Sequence, residues 1–199
     1  AGYEPQNAVP LVIVVHGAFS TAAQIEEQTG FSSLADRFGF AVSYPNGIGI
    51  FGLLQHWNAG HCCGKAVADD WDDIGFIDET IADARRFINI DPSRIYMTGF
   101  SNGGMFTHYL IQQKPGMFMA AAPVFASPLL GYLVGASYQL VARAKEARKT
   151  SVLQLHDRFD DTIPWQGANN SDGWLYESMN RTLGVWAAVH GCTQEPQAF

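Results

Sequence analysis

Long apolar runs, an excess of positive charge and any internal repeat are all missing from this sequence, and each absence excludes a class of protein. The longest apolar stretches, such as Leu11 to Val15 and Met117 to Val124, fall far short of the roughly 18 residues a spanning helix requires. No membrane helix is expected. Charged residues make up only 16% of the 199 positions and the net charge is −7, so no basic field is there to hold a polyanion. Nucleic acid is not an expected partner. What is abundant is apolar side chain, 47% of the chain, enough to build the core of one compact domain over residues 1–199.

Cysteine is scarce. The three are the adjacent pair Cys62-Cys63 and Cys192, and they lack the C-x-x-C and later histidine spacing of a zinc site, so neither a metal nor another cofactor is called for. Adjacent cysteines rarely bridge each other, because the bond needs converging Cβ vectors on Cα atoms about 4.4 to 6.8 Å apart. Cys192 is therefore expected to pair with Cys62 or Cys63, leaving one thiol over. Four aspartates, Asp69, Asp70, Asp72 and Asp73, lack the calcium-loop spacing and its distal Glu, which favours helix capping and solvated surface. Ala1-Gly2-Tyr3-Glu4 has neither a basic nor an apolar leader pattern. Two sequons, Asn169-Asn170-Ser171 and Asn180-Arg181-Thr182, together with the cysteines, fit a secreted protein.

Alternating β-rich and helical patterns run along the chain. Leu11 to Val15 reads as a strand buried on both faces. Residues Ala22 to Phe38 read as one helix, Phe40 to Tyr44 as a second strand, and Ile48 to Asp70 as a long aperiodic loop of the functional kind. A helix capped by Asp73 follows and is ended by Asp91-Pro92. Strands at Arg94 to Thr98, Met117 to Val124 and Ser151 to Leu155 alternate with a helix at Gly103 to Gln113. The last helix, Tyr176 to His190, has Met179, Leu183, Trp186 and Val189 on its buried side. This order predicts a mostly parallel sheet with helices on both faces.

The chemistry is carried by Gly99-Phe100-Ser101-Asn102-Gly103, a G-x-S-x-G between a predicted strand and a predicted helix. That context is the sharp elbow that exposes a serine hydroxyl, with glycines where the turn crowds out a Cβ and a helix N-terminus beside the nucleophile. His16-Gly17 directly follows the first strand, where such enzymes place an oxyanion turn. Ala18, or else Phe19, is the expected N–H donor together with Asn102. His16 itself is expected to be a structural hydrogen-bonder. In Leu155 to Pro164, Asp160 is the expected partner of a catalytic histidine, Asp161 is second choice, and Asp157 caps the loop. His190 stands in the correct Ser, Asp, His order, yet in the last turn of a helix it also suits the dipole. His61 and His108 are weaker candidates.

These residues carry a resemblance. His16-Gly17, Trp57 to Gly64, Asp72 to Phe76, Asp91 through Gly103 and His156 to Pro164 together resemble the secreted polyhydroxybutyrate depolymerase and feruloyl esterase family of α/β-hydrolases. The resemblance implies an α/β-hydrolase fold and a serine carboxylesterase acting on a small aromatic ester or a polymer end. It assigns Ser101 as nucleophile, Asp160 as the aspartate of the H-G-x-x-D segment and Ala18 as the oxyanion residue. Asp157 stands where that segment has glycine. The family's first two strands, its last strand and its G-H-x-W-P segment with the catalytic histidine are not among these residues, so the chain reads as the middle of a longer enzyme with its base beyond Phe199. The alternative of a different class is an inactive hydrolase fold that binds polysaccharide through Phe51, Trp57, Trp71 and Trp165.

Overall fold

A computed structural model of the chain describes residues 3–128, 150–169 and 175–192. Its centre is a parallel sheet in the order β2-β1-β5-β6-β7, formed by β1 (Val9–Val15), β2 (Ala41–Ser43), β5 (Ile90–Phe100), β6 (Ala120–Val124) and β7 (Ser151–Val152). From β1 the chain first moves outward to β2, then returns past β1 to β5 and continues to β6 and β7. The direction of travel therefore reverses between β1 and β5, and at such a switch point the carboxyl ends of the strands open a crevice. Ser101 follows β5 and His16-Gly17 follows β1, and Val15 lies in register with Gly99. Topology alone brings the two motifs together.

Alternate residues of the strands serve opposite layers. Leu11, Ile13 and Val15 of β1 and Ile95 and Met97 of β5 join one core with Ile77 and Ile81 of α4 (Asp73–Phe87) and with Met105, Phe106, Leu110 and Ile111 of α5 (Asn102–Gln113). On the other face, Val12, Val14, Tyr96 and Thr98 line an open apolar hollow of about 680 Å³, with Ile25 of α1 (Ala22–Thr29) and Phe31 of α2 (Phe31–Phe38) at its side. Helices thus flank both faces, as the alternation predicts.

Local chemistry corrects several boundaries. The single helix expected from Ala22 to Phe38 is two, because Gly30 takes a left-handed φ of 63° and caps both. The stretch read as a loop from Ile48 holds a hairpin, β3 (Ile48–Ile50) and β4 (Leu53–His56), and a short helix α3 (Gly64–Ala68). Asp72, not Asp73, caps α4, accepting the Gly75 N–H at 2.8 Å. That helix ends at Phe87, ahead of Asp91-Pro92, which lies inside β5. A short pair, β8 (Ala168–Asn169) and β9 (Leu175–Tyr176), precedes α6 (Met179–His190). Buried on α6 are Met179, Thr182, Trp186 and Val189, so Thr182 takes the place expected for Leu183. No helix among the described residues is long and apolar enough to cross a membrane.

Candidate active site

Ser101 sits between β5 and α5 at φ 53° and ψ −119°, a conformation that side-chain-bearing residues avoid. The turn is held by its own backbone, the Ser101 N–H donating to Val124 O and Ser101 O accepting from the Met105 N–H, both at 2.9 Å. Two glycines make the crossing possible. A Cβ on Gly103 would lie 2.7 Å from Val15 O and still nearer the His16 carbonyl. A Cβ on Gly17 would lie 3.4 Å from the Ser101 Cβ, which measures how closely the turn after β1 approaches Ser101. Phe19 N–H is committed to Gln55 O at 2.9 Å. Of the two donors expected in that turn, this leaves Ala18. Asn102, in the first turn of α5, has a backbone N–H with no intrahelical acceptor.

The side chain of Asn102 is buried and grips another segment. Its Oδ1 accepts the Trp57 N–H at 2.8 Å, while Nδ2 donates to Trp57 O at 3.1 Å and reaches Cys63 Sγ at 3.1 Å. Trp57 is fully buried, stacks on Phe106 with ring centroids 5.3 Å apart, and donates its indole N–H to His16 O at 3.0 Å. A fully buried Trp57 is no platform for polysaccharide, which removes the central member of the aromatic set expected for a binding module. The next peptide is held from α4, where Asp73 Oδ2 accepts the Asn58 N–H at 2.6 Å. Burial pushes the Asp73 carboxyl up to about 6, with the neighbouring Asp72 charge acting in the same direction. The aspartate cluster is thus resolved: Asp69 pairs with Lys65, Asp70 accepts from the Asn58 carboxamide, Asp72 caps α4 and Asp73 holds Asn58. The contacts of the Asn102 side chain and of Asp73 with the Trp57 segment are not among the sequence expectations. The only signal was that their motifs occur together.

The six histidines differ in their surroundings; His56 has Nδ1 2.8 Å from Leu54 O, and His61 is exposed. His16 is structural, as expected: it is buried, with Nδ1 2.7 Å from Gly17 O and Nε2 accepting the Gly47 N–H at 3.0 Å, and burial lowers its pKa. His108 is neutral between the Trp186 indole N–H at 3.2 Å and Gln154 Oε1 at 2.8 Å, and burial lowers it to about 4. His156 bonds Ile163 O at 2.7 Å, closing the loop that carries Asp160. His190 bonds Trp186 O at 2.8 Å in its own helix and stacks on that indole. Asp160 Oδ1 accepts the Thr162 and Ile163 N–H groups, both at 2.8 Å, and its Oδ2 lies 3.9 Å from His156 Nε2. Asp161 is exposed, and Asp157 accepts from the Phe159 N–H as a loop cap. Among the described residues Ser101 Oγ makes no side-chain hydrogen bond. The elbow, the turn after β1 and the Trp57 segment meet, whereas no described histidine is bonded to the hydroxyl.

The cysteines differ from expectation. Cys62 is bonded to Cys63, and Cys192 is a free, exposed thiol. The reason lies in the surroundings: the pair is buried beside Asn102, while Gly191, left-handed at φ 66°, turns Cys192 back over α6 so that its N–H meets Ala187 O. Of the two sequons, Asn180 is exposed but Thr182 is buried in α6, and residues 170–171 of the other lie outside the described residues. Among the described residues no group of three His, Cys, Asp or Glu side chains is placed to hold a metal ion.

A family model described as Esterase PHB depolymerase matches residues 3–157. The chain belongs to this family. It is 29% identical over 202 residues to feruloyl esterase B of Piromyces equi, covering 99% of this chain and 35% of that protein. It is 32% identical over 130 residues to poly(3-hydroxyalkanoate) depolymerase C of Paucimonas lemoignei, covering 62% of this chain and 29% of that protein. Among solved structures, the acetyl xylan esterase from Aspergillus awamori superposes with a TM-score of 0.70 at 17% identity, over 95% of this chain and 73% of that one. The likeness to this solved structure shows the α/β-hydrolase fold of the chain. The chain spans about a third or less of the length of these two curated relatives.

Proposed function

We propose that residues 1–199 belong to a single hydrolase domain and carry the nucleophile, the oxyanion hole and the acidic member of a secreted serine carboxylesterase. The observation that carries this reading is the backbone of Ser101, φ 53° at the carboxyl end of β5, packed against the turn after β1. Ser101 Oγ attacks the ester carbonyl, and the oxyanion that forms is held by the N–H groups of Ala18 and Asn102. Asp160 has Oδ1 committed to two backbone donors, which fixes its carboxylate and leaves Oδ2 to orient an imidazole. That imidazole takes the serine proton and returns it to the departing alcohol, after which water hydrolyses the acyl-enzyme.

The imidazole comes from a histidine outside these 199 residues. In support, Ser101 Oγ has no histidine partner among the described residues, and His16, His56, His108, His156 and His190 each have a ring nitrogen bonded to another group, at Gly47, Leu54, Gln154, Ile163 and Trp186 respectively. The substrates are carboxylic esters of the kind named in the relatives: feruloyl or acetyl groups, or a poly(3-hydroxyalkanoate).

The test is a fluorophosphonate probe applied to the complete protein, followed by peptide mapping. The expected result is one adduct, on Ser101, abolished together with ester turnover by Ser101→Ala. An adduct elsewhere, or turnover surviving Ser101→Ala, overturns the reading.

A further inference from the structure

We propose that Asp73 is a positioning residue for the oxyanion hole, acting through the peptide between Trp57 and Asn58 on the carboxamide of Asn102. The proposal deepens the esterase reading and rests on it. A single peptide group lies between the two side chains. Its N–H, that of Asn58, donates to Asp73 Oδ2 at 2.6 Å, and its carbonyl, that of Trp57, accepts from Asn102 Nδ2 at 3.1 Å. A carboxylate on the N–H end polarises the peptide and strengthens the carbonyl as an acceptor, because hydrogen bonds in series in a low-dielectric interior reinforce one another. The carboxamide is held at its other atom as well, Oδ1 receiving the Trp57 N–H. Asn102 follows the nucleophile directly, so fixing its side chain fixes the first turn of α5 and the direction of its backbone N–H.

The anchor at the far end is rigid. Asp73 opens the 15-residue helix α4, its own N–H meets Trp71 O at 3.0 Å, and Ile77 and Ile81 of that helix lie in the core. The strut therefore runs from one packed helix to another through one peptide. Its composition argues against a purely structural purpose. Asp73 is 6% exposed and, among the described residues, no Lys, Arg or His forms an ion pair with it. The neighbouring charge that acts on it, Asp72, is of the same sign. An uncompensated buried carboxylate opposes folding, while a neutral carboxamide can accept the same N–H. Charge at this position strengthens the chain of bonds leading to Asn102 at the expense of stability, which is the pattern expected of a site feature.

The experiment compares wild type, Asp73→Ala and Asp73→Asn in the complete protein on a p-nitrophenyl ester, with active sites titrated by fluorophosphonate so that only folded, reactive enzyme is counted. Asp73→Ala is expected to lower kcat per titrated site by roughly 10- to 100-fold with KM within about twofold, as for a misaimed oxyanion donor. Asp73→Asn, which keeps an acceptor without the charge, is expected to fall between the two. It also serves where the alanine variant folds poorly. A kcat per site within twofold of wild type in Asp73→Asn, and in any folded Asp73→Ala, overturns the proposal and leaves the esterase reading intact. A wild-type protein that the probe does not label overturns both.

Discussion

The carboxamide of Asn102 holds the backbone of Trp57 by both its polar groups, Oδ1 taking the N–H at 2.8 Å and Nδ2 reaching the carbonyl at 3.1 Å. Trp57 in turn gives its indole N–H to His16 O, at the turn that brings Gly17 against Ser101. One buried tryptophan thus ties together the elbow helix and the turn after β1, the two elements whose relative position decides where the N–H groups of Ala18 and Asn102, the proposed oxyanion donors, point. Rigid support of this kind is what gives oxyanion donors their value, since no reorganisation is needed as charge develops.

Asn102→Ala leaves the buried N–H of Trp57 without its partner, while Trp57 O keeps the Ala59 and Cys63 N–H groups, both at 3.1 Å, so the substitution is expected to destabilise the fold by about 1–3 kcal/mol. Turnover per folded molecule should fall as well, because the first turn of α5 loses its tether. Denaturant unfolding and active-site-titrated kinetics separate the two effects. Unchanged stability would show that the pair of hydrogen bonds to Trp57 contributes nothing net.

Ser101→Gly is expected to abolish turnover and raise stability. A serine at φ 53° and ψ −119° stores strain of about 1–3 kcal/mol, which glycine relieves. Against this, glycine adds about 0.5–1 kcal/mol of unfolded-chain entropy, so a net gain on the order of 1 kcal/mol should raise the melting temperature by about 2–4 °C. A lower melting temperature would mean that the serine side chain contributes to the fold.

The elbow was legible in the sequence because its cause is local. Glycines flank a serine where strand meets helix, and steric exclusion acts between close neighbours in the chain. The role of Trp57 to Gly64 was not legible, since its partner Asn102 stands 45 residues away and nothing in its aperiodic pattern says which groups it satisfies. Gly30 escaped notice for a related reason: the apolar spacing continues across it, and only the left-handed cap reveals two helices. The fold order was readable from β-branched runs. Asp72 and Asp73, adjacent and chemically identical, could be separated into cap and buried acceptor only by the register of α4.

His190→Ala is expected to leave ester turnover of the complete protein within about twofold of wild type, as for a half-buried residue outside the reacting groups. Its imidazole is engaged with the C-terminal end of its own helix at Trp186 O, where a histidine complements the helix dipole. Turnover that vanished on this substitution, with the fold intact by circular dichroism, would make His190 the base and place it third in the triad.

The last expectation concerns pH, where Asp73 and His108 act in opposite directions. Asp73 has a carboxyl raised from 3.8 to about 6 in the folded protein, so between those values the folded state binds the proton that the unfolded chain has released. Its stabilising share is complete below pH 3.8 and lost as pH rises through 6, about 3 kcal/mol from a shift near two units. His108 is lowered from 6.5 to about 4. Here the unfolded chain takes the proton first, so stability present above pH 6.5 is lost as pH falls toward 4, again by about 3 kcal/mol. Between pH 4 and 6 the two slopes offset each other. Asp73→Asn removes only one of them: the variant should be more stable than wild type at pH 7 to 8 by up to about 3 kcal/mol and should lose stability steeply below pH 6, as His108 acts unopposed. Denaturant midpoints measured from pH 4 to 8 for both proteins decide it. A variant less stable than wild type at pH 8 would show that the Asp73 carboxylate holds the fold together, contrary to its role in aiming Asn102 at a stability cost.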